Sequence, residues 1–245
     1  MFQFSDDRFT HMPFVAEDDQ GNKKEFCCIQ ENKLWKLHHF EHGTWKRLKT
    51  NLPIDATECS PCAEYIDGMW QISFIAGGYE QDRRFKLYRM YGINGEVTPQ
   101  TFADVGFVRK NQVCFATRRG PIIIQENDRK IILNLKNVSY LYRVSFDPLQ
   151  PNCLLISGEY KNGKIFSWIY KLGLKQLKSV FADGIPAYKC ALFDKDCFYA
   201  KQETGFEERK IKQAESLNYV NLPANMFINE TEEIITNYNL EMEFV

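Results

Sequence analysis

The chain repeats itself. Five stretches share one rhythm: a short apolar segment ending in a turn signal, an alternating strand, a variable loop, a second alternating strand, a Gly- or Asn-bearing turn and a last strand. The clearest copy opens with Ala63-Glu-Tyr-Ile and the turn Asp67-Gly68. It continues through Trp70-Gln-Ile-Ser-Phe-Ile and Phe85-Lys-Leu-Tyr-Arg-Met to the turn Asn94-Gly95 and Glu96-Val97. Further copies occupy residues 106–133, 141–180 and 188–220, and the loosest occupies 12–48. The centres of their second strands fall near Cys28, Ile72, Phe115, Leu155 and Tyr199, separated by 44, 43, 40 and 44 residues. One such unit cannot hide both of its apolar faces alone, so the copies must stack against one another.

Period-2 alternation of β-branched and aromatic residues reads as strands, and the Asn-Gly and Asp-Gly pairs read as tight hairpins. A fixed period of roughly 40–45 residues with several short strands per unit is the pattern of propeller blades. On these residues the chain resembles the β-propeller superfamily over 12–222. The resemblance implies an all-β fold, a β-propeller of about five four-stranded blades. It goes no further than fold, because the Gly-His and Trp-Asp pairs of WD40 repeats and the double glycines of kelch repeats do not recur. The competing architectures are a pair of β-sandwiches and a β-solenoid. Two extensions flank the repeats. Residues 1–11 form an N-terminal arm carrying Phe2 and Phe4, and 223–245 form a C-terminal segment. Within the latter, Tyr238-Asn-Leu-Glu-Met-Glu-Phe-Val alternates cleanly and is predicted to pair with the first blade or a partner chain. Residues 231–236 read as a short helix or an irregular connection.

Composition narrows the function classes. The 31 basic and 32 acidic residues nearly cancel, and no basic stripe is visible, which argues against a nucleic-acid-binding surface. With 44% apolar and 14% aromatic residues the chain has ample material for a core and does not read as disordered. No run approaches the roughly 20 apolar residues of a membrane helix. Asp6 and Asp7 stand where a signal peptide would carry basic and then apolar residues. The expectation is a cytoplasmic protein with no membrane insertion. Of the eight cysteines, Cys28, Cys114, Cys153, Cys190 and Cys197 fall in apolar strand-like segments and read as reduced core residues.

Specific chemistry is thin. His38-His39-x-x-His42 is the densest histidine cluster. A strand running into a hairpin sends His38 and His39 to opposite faces, so the segment reads as a solvated turn rather than a metal site. Cys59-Ser-Pro-Cys62 has the spacing of a zinc knuckle or redox pair, without the second pair or the helix those uses require. Serine elbows, P-loops, Rossmann glycine patterns and His-Glu-x-x-His are absent, and Ala76-Gly-Gly-Tyr79 reads as a turn. No metal or cofactor is predicted. Glycosidase propellers project carboxylates into the axis. The acids to nominate are Asp6, Asp7, Asp67, Glu159 and Glu64, of which Asp67 reads as a turn residue.

The loops between second and third strands are more informative, because in a propeller they emerge on one end. They carry Tyr79, Arg83 and Arg84 in the second copy, Arg118 and Arg119 in the third, Tyr160 in the fourth and Phe206 in the fifth. Aromatics and arginines at loop tips serve protein interfaces and sugar-stacking sites, since they combine large area with planar hydrogen bonding. Their alternative use is to fold back and seal the blade ends. The expected function is a non-catalytic interaction or assembly module. Its loop end and terminal segments would engage protein partners in a homo- or hetero-oligomeric assembly. A structural subunit of a larger particle, such as a virus tail or capsid-associated ring, is one version. The alternative is a carbohydrate-binding propeller with a shallow site per blade at Tyr79, Tyr160 and Phe206. The third reading is a glycosidase-type enzyme.

Overall fold

In the computed structural model the described residues are 14–31, 34–50, 61–77, 84–147, 150–182, 185–186, 197–202, 205–210 and 217–235. Four repeats each supply four consecutive antiparallel strands of one sheet, to which the sheets of the third and fourth repeats add strands from later in the chain. Blade 1 is β1 (Phe14–Glu17), β2 (Lys23–Glu31), β3 (Leu34–Glu41) and β4 (Thr44–Arg47). Blade 2 is β5 (Cys62–Ile66), β6 (Met69–Gly77), β7 (Phe85–Tyr91) and β8 (Val97–Phe102). Blade 3 is β9 (Val105–Arg109), β10 (Gln112–Ala116), β11 (Ile122–Glu126) and β12 (Arg129–Leu135). Blade 4 is β13 (Val138–Asp147), β14 (Gln150–Tyr160), β15 (Ile165–Lys171) and β16 (Gln176–Ala182). The chain is an all-β propeller. Its sheets stand side by side around an axis and are not stacked as two facing layers.

The local chemistry explains the strands. Asp67-Gly68 and His42-Gly43 both hold positive φ at the two hairpin positions, which a primed turn demands and which glycine takes without strain. In β6 the run Ile72-Ser73-Phe74-Ile75-Ala76 is buried throughout, as a strand must be when neighbouring blades cover both faces of its sheet. Alternate residues then serve different neighbours. Ile72, Phe74 and Ala76 join the large cluster containing Phe26, Cys28 and Leu37 of blade 1. Ile75 joins Leu87, Ala103 and Val108 in a second cluster lined by Phe85, Val113 and Phe115, which joins blades 2 and 3.

At the axis the innermost strands meet. Phe146 of β13 lies 5.4 Å from Phe14 of β1 and 5.2 Å from Phe107 of β9, centroid to centroid. Arg143 Nη2 donates to the carbonyl of Pro61 just before β5, at 3.2 Å. Arg109 Nε donates to Glu64 Oε1 at 2.9 Å, and its guanidinium sits 4.9 Å from the Phe146 ring centroid. The ends of the ring, blades 1 and 4, therefore touch directly.

The fifth repeat behaves differently from the expected blade. β17 (Ile185–Pro186) pairs with the end of β16, while β18 (Cys197–Gln202) and β19 (Gly205–Lys210) form a hairpin of their own. The expected last strand of that copy, β20 (Leu217–Leu222), instead lies antiparallel on β16, from Leu177↔Leu222 to Ala182↔Leu217. One helical turn, α1 (Ala224–Phe227), leads into β21 (Ile228–Ile234) on the outer edge of β12. Thr231 is thus mid-strand rather than in a helix or irregular connection. Buried Ile228 and the Arg129–Glu232 ion pair (2.6 Å) hold this segment to the edge of blade 3. The terminal alternating segment, 238–245, and the arm at 1–11 lie outside the described residues.

Candidate interaction surface

The end of blade 2 where β6 gives way to β7 is the best-defined part of the loop surface. Tyr79 and Arg83 lie outside the described residues. Arg84 is exposed at the start of β7. The β7–β8 register places Phe102 opposite Lys86, so the last residue of the outer strand comes to the same end. Phe102 is 44% exposed. The Arg84 guanidinium lies 5.2 Å and the Lys86 ammonium 4.9 Å from its ring centroid, both within cation–π range. The sequence reading missed Phe102 and Lys86. The available signal was a large apolar residue closing the run Thr98-Pro-Gln-Thr101, where no core partner is expected.

Blade 3 continues this surface. The Asp104 amide donates to the Ala116 carbonyl at 3.0 Å, and the Arg118 amide donates to Asp104 Oδ2 at 2.9 Å, which ties the chain after Phe102 to the loop bearing the arginines. Arg119 is exposed. Arg118 turns inward: its Nη1 donates to the carbonyls of Leu141 and Tyr142, each at 2.9 Å, and its guanidinium lies 5.2 Å from the Tyr140 ring centroid. Burial draws its pKa below the usual arginine value, partly opposed by Tyr140. Arg118 thus ties blade 3 to blade 4.

Tyr160 is half-buried. Its ring packs against Phe166 at 4.8 Å, Trp168 at 5.8 Å and Phe227 at 6.3 Å, and burial raises the phenol pKa. It seals the end of blade 4 and anchors α1. Phe206 stands in β19, and its side chain lies outside the described residues.

The other candidates take structural positions. His38 and His39 do face opposite sides of β3, but they are 3% and 5% exposed, so the expected solvated turn holds only for His42, at φ 50°. Apolar neighbours across the strands, Cys27 opposite His38 and Phe26 opposite His39, explain the burial. His38 Nδ1 lies 2.8 Å from the Lys36 carbonyl, whereas His39 Nδ1 is buried without a hydrogen-bond partner. Burial, reinforced by Lys24, lowers the His39 pKa. Cys62 is buried beside Cys114, whose thiol pKa burial raises strongly, and Cys59 lies outside the described residues. Among the described residues no three His, Cys, Asp or Glu side chains gather as a metal site.

Of the nominated acids, Asp6 and Asp7 lie outside the described residues. Asp67 is a turn residue at φ 51°. Glu159 accepts from the Tyr142 hydroxyl at 2.8 Å, and Glu64 is held by Arg109. A separate hollow of about 360 Å³ lies on blade 4, lined by Asp147, Cys153, Lys171, Lys178 and Tyr219 among others. Burial and then the Asp147 charge raise the pKa values of the Cys153 thiol and the Tyr219 phenol, so both groups hold their protons there. No helix among the described residues is long and apolar enough to cross a membrane. The chain matches no known family model, and no curated protein is similar to it in sequence.

Proposed function

We propose that this propeller is a non-catalytic interaction module whose loop end at blades 2 and 3 meets the acidic surface of a protein partner. The observation that carries the reading is Phe102, 44% exposed between Arg84 and Lys86 and tied through Asp104 to the loop that presents Arg119. An exposed ring flanked by cations offers a partner apolar area and charged donors together, the combination enriched at binding hot spots. The net charge of the chain is only −1, so this cationic grouping is local and distinguishes one end of the molecule. The engagement of Glu64 by Arg109 on a filled axis also favours binding over chemistry at the propeller centre.

The fifth repeat belongs to the same reading. Its β18–β19 hairpin supplies a reduced fifth blade between blades 4 and 1, the last strand of the copy having gone to β16. Its support is that Leu155, Ile169 and Val180 of blade 4, and Cys27 and Ile29 of blade 1, are buried yet belong to neither of the clusters that join the four blades. The test is size-exclusion of a native-source extract carrying a tagged chain. The wild type is expected in a complex larger than its own oligomer, and Arg84→Glu with Phe102→Ala and Arg119→Glu is expected to leave it. A wild type that runs free of any partner, or a triple variant that stays in the complex, refutes the reading.

A further inference from the structure

The described outer strands are not equally protected against pairing with another chain. An uncovered strand edge presents unpaired N–H and C=O groups, and proteins guard such edges with charges, prolines or bulges. β4 ends blade 1 with Lys46 and Arg47. β8 ends blade 2 with Pro99 and a register shift in its pairing to β7. β21, outermost on blade 3, carries Glu230, Glu232 and Glu233. β20, outermost on blade 4, reads Leu-Asn-Tyr-Val-Asn-Leu and carries no charge, no proline and no register shift against β16. Among the described residues nothing pairs with its other edge. Tyr219 is 48% and Val220 49% exposed. As consecutive strand residues they point to opposite faces, so both faces of the sheet are open beside this edge.

We propose that β20 is a homotypic docking edge: a second copy of this chain pairs its own β20 antiparallel to it, joining two blade 4 sheets across a two-fold axis. The occupant is a second copy because self-pairing demands that a strand tolerate itself. Directly opposed residues must share a face, so the axis passes through a pair of identical residues, Tyr219 with Tyr219 or Val220 with Val220. The first register opposes Asn218 to Val220 and Leu217 to Asn221. The second opposes Tyr219 to Asn221 and Asn218 to Leu222. Neither brings like charges together, whereas the same operation centred on Lys46 of β4 sets lysine against lysine, and on β21 it sets glutamate against glutamate, which destabilises cross-strand pairs. Aromatic and β-branched residues at the centre are among those that stabilise such pairs. A closed two-fold contact also uses up both edges and ends assembly at the dimer. This inference goes beyond the loop-end reading and is independent of it, because the rim of blade 4 and the loop end of blades 2 and 3 are different surfaces.

The experiment is sedimentation velocity on the purified full chain over a wide concentration range. The wild type is expected to pass from monomer to dimer, and Tyr219→Lys with Val220→Lys is expected to abolish the dimer while leaving the circular dichroism spectrum and melting temperature close to wild type. Phe102→Ala is expected to leave the dimer intact, which separates this contact from the loop-end surface. A wild type that stays monomeric throughout, or a folded double-lysine variant that still dimerises, overturns the proposal. Hydrogen exchange on the wild type guards against a variant that does not fold. The outward-facing amides of 217–222 should exchange more slowly as concentration rises, and exchange that ignores concentration overturns it equally.

Discussion

Phe146→Ala tests whether the ring is joined at its axis in the way the contacts indicate. Phe146 is 3% exposed, and its ring touches Phe14 of blade 1, Phe107 of blade 3 and the guanidinium of Arg109. Truncating a buried phenylalanine costs about 3–5 kcal/mol, more where the site cannot collapse. Here the surrounding groups belong to different blades, each fixed by its own hydrogen-bonded sheet, so collapse is restricted and the upper part of that range applies. In a chain of this size about 1 kcal/mol lowers Tm by roughly 2–4 °C, so a cost of about 4–5 kcal/mol gives an expected loss of about 8–20 °C. Urea unfolding followed by fluorescence of the four tryptophans gives the free energy. A double-mutant cycle with Phe14→Ala isolates the inter-blade term, expected at about 0.5–1.5 kcal/mol for an edge-to-face aromatic pair. Ile234→Ala, at a residue 70% exposed on the rim, is the control and should stay within about 0.5 kcal/mol of wild type. A loss below about 1 kcal/mol for Phe146→Ala, or a coupling energy of zero, would refute the claim that blades 1 and 4 are joined through this ring.

Three further expectations follow from particular side chains. His39 has a folded pKa lowered below its unfolded value of 6.5, so the unfolded chain binds its proton first. Its share of stability is full above about pH 6.5 and is lost as the pH falls from there toward the folded pKa. The decline of Tm over that window should flatten in His39→Gln, and an unchanged slope rejects the assignment. A Cβ on Gly158 would sit 2.4 Å from the Tyr140 carbonyl oxygen and 2.8 Å from Phe166 Cζ, so Gly158→Ala should cost about 1–3 kcal/mol by overpacking, and a neutral result in chemical denaturation would contradict the packing. Cys114, buried with a raised thiol pKa, should resist iodoacetamide in the native state and react only after unfolding, as mass spectrometry of quenched time points would show.

Much of the fold was legible because a blade is sandwiched between neighbours. That requirement buries runs such as Ile72 to Ala76 on both faces, and it recurs at the spacing of one blade. Where the reading failed, the deciding interaction carries no side-chain signature. Leu217–Leu222 has the alternation of any last strand, and the sequence marks it as a strand without saying whose edge it takes. Backbone hydrogen bonds are the same whichever residues offer them, so joining β16 rather than a fifth blade leaves no mark in composition. β21 was missed for the opposite reason. Its Asn and Glu residues are poor strand formers, and the open edge of β12 with Arg129 at hand outweighs that preference. The two histidines show the same division. Period 2 fixes that they face opposite sides, while their burial depends on what other strands place beside them.

The loop end extends that argument to the candidate surface residues. Arg84, Arg118, Arg119 and Tyr160 stand out in the sequence by chemical type and position, and type does not decide direction. Tyr160 sits at the end of a hairpin whose partner strand brings Phe166 and Trp168 beside it, so its ring gains more by covering them than by facing water. Arg118 has the carbonyls of Leu141 and Tyr142 within reach, and a guanidinium with paired acceptors in a half-buried site has reason to stay. Phe102 finds the reverse surroundings. Its strand is the last of blade 2, and its cross-strand neighbour is Lys86, so no apolar surface lies beyond it to cover. The ring remains in solvent with cations on it. A residue at a blade end thus stays exposed when the adjoining strand offers it only charged or polar company. That condition depends on which strands the fold makes neighbours, and a list of loop residues does not contain it.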